Sequence, residues 1–127
     1  AASARAPIGH LRGALQCVYD LLRLYSFDVV YLDGDHRASA VRSDIILGKT
    51  LVARGGLLCG ADLEQQLDEC DADHARVHAE THDFLGGYHP GVTLAVGEAF
   101  GRVWSRESIW AVRYSINGRW EQPEVPL

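Results

Sequence analysis

Phe27-Asp-Val-Val-Tyr-Leu-Asp-Gly-Asp-His36 decides how this chain is read. An apolar run rich in β-branched and aromatic residues ends in two carboxylates and an imidazole grouped around one glycine. Such a run suits a strand buried in a parallel sheet, and its abrupt polar end suits a site at the strand's carboxyl edge. Gly55-Gly-Leu-Leu-Cys-Gly-Ala-Asp62 repeats the pattern, a short apolar strand closed by an acid. Between the two, Val41, Ile45, Gly48 and Val52 recur at three- and four-residue steps and predict a helix stopped by Gly55-Gly56. Strand, helix and strand with short links make a βαβ unit, so the strands are expected to lie parallel.

Upstream, Ile8, Leu11, Leu15, Val18, Leu22 and Tyr25 predict an amphipathic helix over residues 8–25. Downstream, residues 62–84 carry a weak helical period through Leu63, Leu67 and Cys70, and Gly86-Gly-Tyr-His-Pro-Gly91 reads as a loop. Val92 to Phe100 predicts a short helix stopped by Gly101, and Val103-Trp104 and Ser108 to Tyr114 predict strands, with a turn at Asn117-Gly118. The whole chain, residues 1–127, reads as a single α/β domain. Its sheet is expected to be part of a doubly wound, Rossmann-like one, with about four strands and flanking helices.

Composition narrows the function. The 127 residues are 47% hydrophobic and 23% charged, ordinary for a globular domain able to bury a core. The net charge of −5 is uneven: residues 1–60 hold seven Lys/Arg against five Asp/Glu, residues 61–127 five against twelve. Most of the acidic excess lies between Asp62 and Asp83, and no basic stripe exists, which argues against nucleic acid as a partner. No apolar run approaches a membrane span, so no membrane partner is expected. Cys17, Cys59 and Cys70 show no metal-type spacing and read as reduced thiols in a cytoplasmic protein. The chain has no methionine and begins Ala1-Ala-Ser, consistent with processing or with a fragment of a longer product.

The chemistry sits at the strand ends. Neighbouring strands are roughly 4.8 Å apart, so Asp33 and Asp35 past one strand and Asp62 past the next can converge on one ligand. Crowded carboxylates repel unless a cation or a shared proton relieves them, and oxygen ligands suit Mg²⁺. Asp33, Asp35 and Asp62 are the candidate ligands, a carboxylate left off the metal suits a general base, and His36 suits either a ligand contact or a polar first-turn residue. Taken singly, Asp35 also suits a helix cap and Asp33 a turn residue.

In order and spacing, Phe27–His36, the helix with Val41 and Asp44, and Gly55–Asp62 resemble the second half of a class I S-adenosylmethionine-dependent methyltransferase. The likeness is to the small-molecule branch related to macrocin O-methyltransferase. His89-Pro-Gly-Val-Thr-Leu-Ala-Val96, Phe100-Gly101 and Ser108–Arg113 are similar to that branch's later helix and last strand. The resemblance implies S-adenosylmethionine and Mg²⁺ as cofactors and a small-molecule hydroxyl as substrate. It also implies Asp33 and Gly34 beside the cofactor, Asp33 on the metal and Asp35 as base. Two consecutive aspartates normally follow the second strand, whereas this chain has Ala61-Asp62. No glycine-rich strand-to-helix turn precedes residue 27, so the chain corresponds to the substrate- and metal-facing half.

Other readings compete. Asp33-Gly-Asp35 also fits the Asp-x-Asp pattern of metal-dependent nucleotide-sugar glycosyltransferases. A half-sheet with an open edge suits a non-enzymatic module or a homo-oligomer formed by edge pairing. His74, His78 and His82, four apart, would stack on one helix face and suit Zn²⁺, or else line a solvated face on which Arg76 and Glu80 pair. Trp110 reads as core, Trp120 as more exposed, and Cys59 as a small buried thiol without a partner base.

Overall fold

A computed structural model describes the backbone of residues 4–6 and 9–12 and all of residues 18–124. In chain order the elements are β1 (Ala4–Ala6), β2 (Gly9–Arg12), α1 (Tyr19–Leu22), β3 (Tyr25–Asp33), α2 (Ala38–Leu51) and β4 (Val52–Gly60). There follow a 3-10 turn (Leu67–Glu69), α3 (Ala72–His78), α4 (Pro90–Phe100), β5 (Trp104–Arg106), β6 (Ile109–Tyr114) and β7 (Trp120–Glu121). The architecture is α/β: one open mixed sheet in the order β1–β3–β4–β6–β5, with β2 also along β3 and β7 also along β6. β3 and β4 are parallel, pairing Val30 with Leu58 and Leu32 with Gly60, while β6 runs antiparallel to β4. Asp33 and the Ala61-Asp62 pair therefore leave the sheet at the same rim.

α2 and α4 cover one face. Val30, Leu32, Leu58, Trp110 and Val112 from the strands meet Val41, Ile45 and Leu51 of α2 and Val92, Ala95 and Val96 of α4. Side chains of this kind stabilise the fold by about 1.5–3 kcal/mol each when fully buried. The alternate strand residues Val29, Tyr31, Leu57 and Cys59 remain partly exposed, as the period of two requires when they point the other way. Among the described residues, no helix is long and apolar enough to cross a membrane.

A second, smaller cluster positions the loop that reaches the site. Ala38, Ala75 and Ala79 are small enough to bring α3 close against α2 and α4, with Tyr88 and Leu94 completing the contact. The Ala38 N–H donates to Ala79 O at 3.0 Å. The Glu80 carboxylate accepts from the Ser39 N–H and hydroxyl, satisfying the first turn of α2, which has no capping side chain at Arg37. Glu80 is thus spent on α2, and Arg76 pairs with Asp73 at 3.2 Å instead.

Three sequence expectations fail for identifiable reasons. The first is the strand count: the sheet has seven strands rather than about four, because residues 4–6, 9–12 and 120–121 also pair into it. Among the described residues of 8–25 only Tyr19–Leu22 is helical; residues 9–12 pair in parallel with Val30–Asp33, and Tyr25 opens β3. Ile8 and Leu15 lie outside the described residues. The helical spacing there runs past Gly9 and Gly13, which disfavour a helix, while β3 offers a row of unpaired backbone groups. With β1 and β2 in place, β3 is no longer the free edge a truncated sheet would leave. Gly55-Gly56 does not stop α2 either, since Leu51 passes directly into β4. The pair forms an irregularity inside the strand, where the register slips between Phe27 and Val29 and Gly55 takes φ +87°.

Candidate functional site

Asp33 is the last residue of β3, and Asp62 lies just beyond β4 with φ +65°. That left-handed conformation is uncommon outside glycine but tolerated by aspartate, and the Leu63 N–H fixes it by donating to Ser108 O at 2.9 Å. The turn aims Asp62 back at the loop after β3. There its Oδ2 meets His36 Nε2 at 2.8 Å. Asp33, His36 and Asp62 each place a ligating atom within 4.8 Å of the others. The strand ends thus bring together the two carboxylates singled out from the sequence, with His36 among them.

His36 is held from both sides, its Nδ1 lying 2.7 Å from Asp83 Oδ1. Burial disfavours the charged ring, but the hydrogen bond to Asp83 and the charges of Asp62 and Asp83 outweigh it and raise the pKa above the ordinary histidine value. Tyr31 faces the same charge: burial, then Asp33, Cys59 and Asp62, push its hydroxyl up. Asp35 is engaged elsewhere. It accepts from the Arg37 N–H at 2.9 Å and from the Arg37 guanidinium, and those bonds lower its pKa. Asp33, Gly34 and Asp35 border a small cleft floored by Leu32, Val41 and Trp110.

The site is wider than the sequence suggested. His89, immediately before α4, donates through Nδ1 at 3.0 Å to Glu64, whose carboxylate also takes the His89 backbone N–H. The His89 ring meets that of His36 edge-on at 4.4 Å between centroids, and its Nε2 lies 4.0 Å from Asp83 Oδ2. Gly91 makes this approach possible. A Cβ there would overlap the His36 carbonyl oxygen and lie 2.7 Å from the Ala38 nitrogen. Glu64, Asp83 and His89 were not picked out as site residues from the sequence. The signals were a second acid two residues after Asp62 and the His-Pro-Gly helix start, and neither names a partner.

The remaining candidates fall elsewhere. His74, His78 and His82 do come together, with ring centroids 4.5 and 4.8 Å apart in tilted and edge-on contacts, but α3 ends at His78 and His82 lies beyond it. His74 Nδ1 bonds the Tyr88 hydroxyl at 2.8 Å. Burial and the two flanking rings lower the His78 pKa. Cys59 is half-buried with its thiol pushed up to about 11 by burial, which rules out a thiolate nucleophile at neutral pH. Trp110 is core at 1% exposure, and Trp120 is partly buried, stacked on Tyr114 at 4.7 Å. Cys17 lies outside the described residues.

No protein-family model matches the chain, and neither a curated protein nor a solved structure is detectably similar to it.

Proposed function

We propose that this chain is an S-adenosylmethionine-dependent methyltransferase-like domain of the doubly wound, Rossmann-like class, acting on a hydroxyl of a small molecule. One observation carries the reading: Asp33, His36 and Asp62 converge within 4.8 Å at the carboxyl ends of adjacent parallel strands. That rim is where ligands of open α/β sheets bind. The partly exposed second face, with Val29, Tyr31, Leu57 and Cys59, is what this reading expects of a half-sheet that packs against further structure.

Asp33 and Asp62 are the residues that would hold Mg²⁺, since two carboxylates plus water and substrate oxygens make a suitable shell. Asp33 and Gly34 border a cleft with room only for an edge of the cofactor, which would supply the methyl group. Both candidate bases are engaged, Asp35 with Arg37 and His36 with a carboxylate at each ring nitrogen; His36 is the better placed because its Nδ1 partner, Asp83, is exposed and can move aside. With Asp83 moved aside, neutral His36 would accept the hydroxyl proton at Nδ1, and the resulting imidazolium is matched by Asp62 on Nε2. The same commitment of Asp35 weakens the nucleotide-sugar alternative, which needs both acids of Asp33-Gly34-Asp35 free for a metal.

Calorimetry with S-adenosylhomocysteine on the complete gene product, with and without Mg²⁺, tests this. Binding that weakens on Asp33→Ala supports the proposal. Absence of binding at millimolar ligand in the complete product refutes it.

A further inference from the structure

We propose that His36, His89 and Asp83 form a binding site for a nitrogen-preferring divalent ion of the Zn²⁺ class, separate from any Mg²⁺ on Asp33 and Asp62. Both rings are oriented in the manner of metal-bound histidines. His36 Nε2 lies 2.8 Å from Asp62 and His89 Nδ1 lies 3.0 Å from Glu64, so each ring has a carboxylate behind it. A carboxylate on the far nitrogen fixes the tautomer and leaves the near nitrogen free to donate its lone pair to a metal. The near nitrogens, His36 Nδ1 and His89 Nε2, both face the Asp83 carboxylate, at 2.7 and 4.0 Å.

The spacing fits with little movement. Ligand atoms of the three residues lie within 4.8 Å of one another, and those around a tetrahedral zinc with bonds of about 2.0–2.1 Å are separated by roughly 3.4 Å. Asp83 sits on an exposed stretch with its side chain 73% accessible, so it can move to admit the ion. Two imidazoles and one carboxylate leave positions open for water or a substrate oxygen, the pattern of catalytic rather than structural zinc. Magnesium, which favours oxygen, is a poor match for this donor set. The ion and a proton on His36 Nδ1 exclude one another, so bound Zn²⁺ would take His36 out of service as a base.

Zn²⁺ is titrated into the gene product against a chromogenic chelator, in millimolar Mg²⁺, with Co²⁺ visible spectra as a second readout. One tight equivalent is expected. Asp83→Asn and His89→Ala should each weaken it at least tenfold and remove the Co²⁺ bands, and Glu64→Gln should cost about 10–100-fold by freeing the His89 ring. His78→Ala, on the separate histidine cluster, should change nothing. Melting curves of each variant establish that it is folded, and Asp83→Asn alters only an exposed side chain. Zn²⁺ affinity unchanged in Asp83→Asn and His89→Ala, or lost in His78→Ala, would overturn the assignment. Because S-adenosylhomocysteine is absent from this titration, its outcome is independent of the methyl-transfer reading.

Discussion

Gly91→Ala should destabilise the protein markedly, although alanine is the better helix former. In a helix interior the exchange ordinarily gains about 0.8–1.0 kcal/mol, and less here because Gly91 is in the first turn of α4. The added methyl, however, would overlap the His36 carbonyl oxygen and lie 2.7 Å from the Ala38 nitrogen and 2.8 Å from the Ala79 carbonyl oxygen. All three are backbone atoms, so no rotamer change relieves the clash. α4 must back away from the loop between β3 and α2. Overpacking of this kind costs about 1–3 kcal/mol, and losing the Ala38–Ala79 hydrogen bond adds about 0.5–1.5 kcal/mol. The net expectation is a loss of about 2–3 kcal/mol, or roughly 6–15 °C in Tm for a domain of this size. Urea unfolding followed by circular dichroism measures it. A variant as stable as the parent, or more so, would refute the packing argument that brings His89 to His36.

Three further outcomes follow from individual contacts. In metal-free protein His36 should titrate above the ordinary value of about 6.5; the stabilisation it contributes is then full below about pH 6.5 and lost as pH rises through the raised midpoint. Histidine NMR reads this directly, Asp83→Asn should bring the midpoint down, and a midpoint below 6.5 in the parent would contradict the clamp. Gln66, 4% exposed, donates to Val103 O at 2.8 Å and accepts from the Val103 N–H at 3.1 Å. Gln66→Ala should therefore cost about 2–4 kcal/mol by stranding both backbone groups, and a loss under 1 kcal/mol would show that water replaces the amide. Cys59, with its thiol near 11, should resist iodoacetamide at pH 7.5 until the protein is unfolded; rapid alkylation of the native state would refute its burial.

The centre of the fold was legible because its signals are local. The apolar runs ending at Asp33 and Asp62 and the period of Val41, Ile45 and Gly48 each point to one element, and βαβ connectivity places the strand ends together. Val92 to Phe100 was readable for the same reason, with Gly101 at φ +69° closing the helix. Residues 9–12 were not, because their apolar spacing fits a helix and only the pairing demand of β3 makes them a strand. Gly55-Gly56 looked like a helix stop since glycine serves both ends and bulges, and the choice rests on how β3 and β4 align. Asp83 and His89 joined the site through Ala38, Ala79, Glu80 and Gly91, contacts between residues some 40–55 positions apart that no short pattern records.

The proposed centre requires Asp33 and Asp62 to face one shared ion at the sheet rim. Mn²⁺ titration in place of Mg²⁺, read as paramagnetic broadening of backbone amide signals, tests that most directly. Broadening that begins at residues 33–36 and 60–63 and is abolished by Asp33→Asn or Asp62→Asn is the predicted result. Broadening that begins instead in the acidic stretch from Asp68 to Asp73, or survives both substitutions, would contradict it.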